Sequence, residues 1–291
     1  MSNKKLSDFW IGALSSLTLI GLGIGTMYVI GDRSLKKNEK ITAIASDIET
    51  VDGEVIIPAQ WDSLGIDLVK NGVIDLQSFE ALYEARGGLP ADMEVLLTRS
   101  DIKEIRMNEN NSDILLNILW ALGLGNENRI LTQGPMMDAR YGGAGGFAST
   151  GGWTLARGDA MNHYARHPLI ALTSEQQSLV EKMSRSIHRP CCGNATHFPD
   201  CNHGMAMLGL LELLAAQGMS EQEMYKVAYQ VQKFWFPDNY LTIEKYFQQE
   251  GMPLVPEKVL SSAYSSSAGY QKVVQLLSTP PVRPQGGSCG V

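Results

Sequence analysis

The sequence predicts a mainly α-helical protein: a single N-terminal transmembrane helix followed by a mostly helical globular domain with a small β-hairpin and a Gly-rich loop. Three observations carry that expectation. Residues 9–31 form an uncharged run of 23, long enough at ~1.5 Å per residue to cross a ~30 Å hydrocarbon layer. In the carboxyl half, apolar residues recur at helical spacing between capping and stop signals. Asp52-Gly53 sits between two short runs rich in β-branched residues, a tight-hairpin signature.

The chain has 291 residues, 44% of them hydrophobic and 19% charged, which excludes disordered, collagenous and disulfide-scaffold classes. Its net charge is -7, from 24 basic and 31 acidic residues. Six of the basic residues (Lys4, Lys5, Arg33, Lys36, Lys37 and Lys40) fall in the first forty positions, so the remainder of the chain is strongly acidic. An acidic body has no electrostatic footing on a phosphate backbone, and no nucleic-acid partner is expected.

Residues 1–8 read as a short N-terminal tail and 9–31 as the membrane anchor, with Phe9, Trp10 and Tyr28 at its ends, where aromatic rings favour the interface. The charged segment after Gly31 carries no small-residue cleavage signal at once behind the run, so the anchor is expected to stay uncleaved. The basic residues flanking the run slightly favour a cytoplasmic body by a strict positive-inside count, but a very short amino-terminal tail commonly stays inside, so the body is expected on the extracytoplasmic side. The lipid bilayer is the first expected partner.

Residues 32–47 read as a charged linker, and 48–158 as a mixed α/β subregion. Within it, 48–58 forms the hairpin; Leu76, Phe79, Leu82 and Tyr83 set a helix that ends at Gly87-Gly88; further helices are expected at 91–98 and 112–124. The Gly-rich stretch 134–158 lacks the preceding strand, following helix and P-loop lysine of a phosphate cradle, and reads as a structured loop. Residues 159–278 form a helical Cys/His subregion, with helices at 173–187, 202–217 and 220–234 and another from about 241 to 249. Thr173 with Gln176 and Ser220 with Glu223 are capping boxes. Residues 279–291 read as a flexible tail bearing Cys289.

Three of the four cysteines lie within eleven residues, in a stretch that also holds His188, His197, His203, Met205 and Met207. Thiolate, imidazole and thioether together are the ligand set of a soft or borderline ion: copper most of all, with zinc or iron as alternatives. The expected metal ligands are Cys191, Cys192, Cys201 and His203, completed by His197 or Met207. Pro199-Asp200 precedes a helix start, so Cys201 is expected at the helix amino terminus, where the backbone dipole favours a thiolate. His203 and Met207 share a helical face. A disulfide from Cys201 to Cys191 or Cys192, a catalytic thiol, and cysteines packed as small hydrophobes all stay open as alternatives. His163 and His167 are also four apart, a weaker second ligand pair. Cys289 suggests an arm that exchanges metal or thiol with a partner, and other membrane subunits are expected partners as well. No GxSxG or HExxH motif is present, so a classical hydrolase is not expected.

The order of features from the proline-preceded cysteines through Asp200-Cys201, a helix ending at Gly218 and Ser220-Glu221 opening the next resembles two groups of membrane-anchored extracytoplasmic thiol proteins. These are the PCYCGC-motif proteins and the thioreductases of cytochrome c maturation. The resemblance covers about residues 189–232, and Cys191 and Cys192 are adjacent where those groups separate their cysteines. It implies a thiol-disulfide oxidoreductase as the alternative to metal handling, delivery or sensing. A third expectation is an accessory subunit of a membrane complex, its cysteines stapling a loop.

Overall fold

A computed structural model of the chain describes residues 50–277 except Asp52, with Thr50 and Val51 as backbone alone. The proposed anchor at 9–31, the linker and the tail with Cys289 lie outside the described residues. Among the described residues no helix is long and apolar enough to cross a membrane.

The hairpin forms as expected around Gly53, whose φ of +80° is open to glycine without strain. Strands β1 (Thr50–Val51) and β2 (Glu54–Ile57) pair antiparallel. The sheet goes further than the sequence reading: β3 (Ile105–Met107) pairs antiparallel with β2, opposing Ile57 to Ile105 and Val55 to Met107. Ile105 and Met107 are buried while Arg106 between them is exposed and bonds to Glu54. That is strand alternation, too short to stand out from sequence.

Helices α1 (Leu64–Lys70), α2 (Leu76–Glu84) and α3 (Ala91–Thr98) follow the hairpin. Asp75 caps α2, its carboxylate accepting from Ser78 N. α4 (Ser112–Gly125) is buried almost all round, as a central helix must be when neighbours cover every face. A short α5 (Arg129–Gln133) then leads into the Gly-rich stretch, which is built of 3-10 turns rather than an open loop. Two indoles hold it: Trp120 Nε1 donates to Ser149 O at 2.7 Å and Trp153 Nε1 to Val73 O at 2.8 Å. The two rings pack with centroids 4.8 Å apart.

The carboxyl half carries α6 (Ser174–Ser186), α7 (Asn202–Ala216) and α8 (Glu221–Trp235). Both expected capping boxes are formed, at Thr173/Gln176 and Ser220/Glu223. α9 (Pro237–Gln249) begins four residues before the expected start, because Pro237 does not stop the chain but opens the new helix at its first position, where its missing N–H costs nothing. Three more helices that the sequence reading left out, α10 (Pro256–Val259), α11 (Ser262–Ser265) and α12 (Ser267–Leu276), complete the domain.

α4 and α7 form the central pair, although they come from the two subregions distinguished in the sequence; both subregions therefore share one core. Their backbones approach so closely that a Cβ on Gly123 would stand 2.1 Å from Met205 O, and one on Gly209 2.5 Å from Leu119 O. Glycine at both positions is what permits the crossing. The amino end of α7, with its thiol, is thereby packed against the central helix of the core.

Candidate metal and thiol site

The site is built by the segment between α6 and α7. After α6 ends at Ile187, the chain folds back on itself. Thr196 N donates to Ile187 O at 2.9 Å and His197 N to Ser184 O at 2.8 Å, and His188 bridges to Ala195. The loop is tied down from the far side by His188 N to Leu260 O and Ser267 N to Cys192 O, which gives the three unanticipated C-terminal helices a role in shaping it. From the other flank, Ser149 of the Gly-rich stretch bonds through its hydroxyl to Pro199 O and through its amide to Asp200 O.

Within this frame Cys191, Cys192, Cys201 and His203 come together. The ligand atoms of Cys191, Cys201 and His203 all lie within 4.8 Å of one another, and those of Cys192, Asp200 and Cys201 do likewise. Such a Cys/His/Asp cluster can hold a metal ion. Cys191 and Cys192 are half-buried and Cys201 is buried. None of the three is joined in a disulfide; Cys191 Sγ and Cys201 Sγ stand 3.9 Å apart, against about 2.05 Å for a sulfur–sulfur bond.

Cys201 is the N-cap residue of α7, as its sequence position implies. Its thiol is held well below the ordinary range, first by hydrogen bonds from Cys191 and Cys192 and further by the Arg189 charge and His203, against the opposing effect of burial. The neighbouring thiols, rather than the helix dipole alone, make this the thiolate. Cys192 moves the other way. A hydrogen bond with Cys191 pulls it down, but donation to Cys201 and burial outweigh that and push it up to about 11. A negative Cys201 sulfur beside a protonated Cys192 results.

The sequence reading overlooked Arg189. Its side chain is fully buried. Nε donates to Cys201 Sγ at 3.0 Å, one terminal nitrogen to Asn194 O at 3.1 Å, and the other to Phe198 O at 3.3 Å and Asp200 Oδ1 at 2.7 Å. Asp200 also accepts from Asn194 Nδ2 at 2.7 Å. Burial pushes Asp200 upward against the pull of Arg189. Gly204 makes the arrangement sterically open, since a Cβ there would lie 2.6 Å from Arg189 Cζ. The only sequence clue was an arginine beside the cysteine pair, indistinguishable from a surface cation.

His203 lies on the first turn of α7, with the Phe236 ring 4.4 Å and the Trp235 ring 5.8 Å from its own, centroid to centroid. Trp235 and Phe236, where α8 ends and α9 begins, thus pack against the imidazole. His197, expected to complete the ligand set, belongs to neither cluster: the backbone turn at 196–197 directs its Nδ1 to Ser184 Oγ at 3.2 Å, and burial lowers its pKa. Met207 is wholly buried in the core. His163 and His167 do not lie on an α-helix; their rings meet each other, Nδ1 to Nε2 at 3.1 Å.

A second buried charge site was not foreseen. Glu212 on α7 is fully buried, accepting from Asn126 Nδ2 at 3.1 Å and Asn128 Nδ2 at 2.5 Å. Burial outweighs both bonds and raises its carboxyl to about 8. Its apolar surroundings in sequence, LGLLELLAA, mark it as a buried acid once all faces of the helix are known to be covered. No protein-family model, curated protein or solved structure matches the chain, so its function is argued from this geometry alone.

Proposed function

We propose that the protein is a membrane-anchored metal-binding protein that handles, delivers or senses a thiophilic ion. Copper(I) is the first choice, held by Cys191, Cys201 and His203 with Cys192 or Asp200 at its side. The observation that carries this reading is the 3.9 Å separation of Cys191 Sγ and Cys201 Sγ, with His203 in the same cluster. Thiolates about 2.3 Å from one ion stand roughly 3.8 Å apart in a tetrahedron and about 4.0 Å apart in a triangle. The soft donor set favours a soft ion. The run at residues 9–31 would tether the domain to the bilayer on its extracytoplasmic side, and Cys289 would pass metal or thiol equivalents to a partner subunit.

The test is elemental analysis with thiol counting on the full-length protein in detergent, reconstituted under reducing conditions with copper(I), zinc or iron(II). Near-stoichiometric metal that is lost in Cys201→Ser and in His203→Ala supports the reading. Unchanged metal content in both variants overturns it.

A thiol-disulfide oxidoreductase is the second reading, favoured by the hydrogen bond of Arg189 to the Cys201 thiolate. In that chemistry the Cys201 thiolate attacks one sulfur of a partner's disulfide and expels the other as a thiolate. Cys191, 3.9 Å away, then loses its proton and displaces the first partner sulfur. The products are a Cys191–Cys201 disulfide and a reduced partner. Absence of bound metal, with two thiols missing from the count after exposure to a disulfide substrate, would transfer the weight to this reading.

A further inference from the structure

We infer that Arg189 selects the charge of the bound ion, so that the site favours a monovalent thiophilic cation, copper(I) or silver(I), over a divalent one such as zinc. The inference rests on the metal-binding reading above and deepens it.

A buried cation in contact with a ligand atom raises the energy of any positive ion placed on that atom, because the two charges repel. Here the guanidinium is wholly buried and its Nε lies 3.0 Å from Cys201 Sγ. Arginine does not relieve this by losing its proton. Nor does it swing away: its nitrogens are committed to Asn194 O, Phe198 O and Asp200 Oδ1, and the α7 backbone at Gly204 closes over the guanidinium plane. The bond to Sγ does not itself block coordination, since a thiolate has further lone pairs for an ion. Arg189 is therefore a permanent unit of positive charge built into the ligand wall.

For one and the same set of thiolates, a divalent ion brings one more positive charge than a monovalent ion. At ~5 Å and an effective dielectric of ~20, that extra repulsion corresponds to a few hundredfold in affinity, on the order of 10²–10³. Asp200, paired to Arg189 at 2.7 Å with its side chain 24% exposed, carries the opposite charge and offsets most of it, so that a residual preference on the order of tenfold is expected. In a merely structural role, Arg189 would hold the loop for either ion alike. The ratio of affinities, not either affinity alone, therefore reports the selection.

The experiment uses full-length protein in detergent, reduced and anaerobic, with copper(I) and zinc each measured by competition against chelators of known affinity. The proteins compared are wild type, Arg189→Lys, Arg189→Gln and Gly204→Ala. The copper-to-zinc affinity ratio is expected to fall by about tenfold in Arg189→Gln, which removes the charge but keeps an N–H donor, and to stay within about threefold of wild type in Arg189→Lys. Gly204→Ala displaces the guanidinium from its seat and is expected to shift the ratio in the same direction as Arg189→Gln. It decides the matter if Arg189→Gln shows no cooperative thermal transition. A wild-type ratio in whichever of these two variants folds and binds both ions overturns the inference while leaving metal binding intact. A wild type that binds neither ion overturns the metal reading and this inference with it.

Discussion

Arg189 and Cys201 meet inside the domain, Nε to Sγ at 3.0 Å, although one residue lies early in the hairpin-like return after α6 and the other caps α7. The contact joins a fixed cation to a sulfur that two further thiols also address, and with them it holds the Cys201 thiol well below the ordinary range. A charge-assisted hydrogen bond of this kind is worth more than a neutral one because the anion is its acceptor.

In the metal-free protein, thiolate should therefore form well below the pH at which an ordinary cysteine ionises. Ultraviolet thiolate absorbance followed against pH is expected to show one early step, which Cys201→Ser abolishes and Arg189→Gln moves upward. A single late step in the wild type, at the ordinary thiol pH, would contradict the assigned thiolate.

Glu212 gives the fold a pH dependence of defined sign. Its folded value, about 8, is above its ordinary 4.5, so between those values the folded state holds a proton that the unfolded state has released. Stability then falls as pH rises from about 4.5 to about 8, by a few kcal/mol in total. Denaturant unfolding at a series of pH values should show this slope in the wild type, and Glu212→Gln should remove it from the same window. An equal slope in both proteins would assign the dependence elsewhere.

The crossing of α4 and α7 has no room for a methyl group. Gly209→Ala places a Cβ about where Leu119 O and Gly123 N already stand, at 2.5 and 2.7 Å, and is expected to cost about 2–3 kcal/mol through displacement of one helix. A urea titration reads this as a lower midpoint with an unchanged slope. A midpoint within error of wild type would mean that the helices separate without penalty.

Ser149 fastens the Gly-rich stretch to the backbone just ahead of Cys201, through its bond to Pro199 O. Ser149→Ala leaves that buried carbonyl without its donor and should cost about 1–2 kcal/mol. Hydrogen exchange should show the amides of Ser149 and Thr150 exchanging faster while those of α4 keep their protection. Uniform protection in the variant would show that Trp120 alone holds the stretch.

Much of the scaffold was legible because it is written locally. The capping boxes at Thr173 and Ser220 place their helices from a few adjacent residues, the Asp52-Gly53 turn places the hairpin, and the density of thiols and imidazoles between 188 and 203 identifies the site. Elements whose identity depends on a distant partner were not legible. β3 is strand only because β2 offers it an edge, and α10 to α12 are short helices that gain their stability from packing. Pro237 opens rather than ends a helix because Phe236 turns the chain beside His203. His197 has the right chemistry for a ligand and the sequence sets it near the cluster, but the loop return directs its Nδ1 to Ser184 Oγ instead; Met207 is packed in the core.

The helical class, the bounds of α6, α7 and α8, and the soft donor set around Cys191, Cys192, Cys201 and His203 can be read from the sequence, since periodicity, caps and ligand chemistry are properties of neighbouring residues. The folded chain settles which donors converge, that Arg189 stands among them as a buried cation, and that Glu212 lies in the core with two asparagine amides as its partners. Burial and electrostatic environment are set by what the rest of the chain brings within a few ångströms, and no local pattern encodes that.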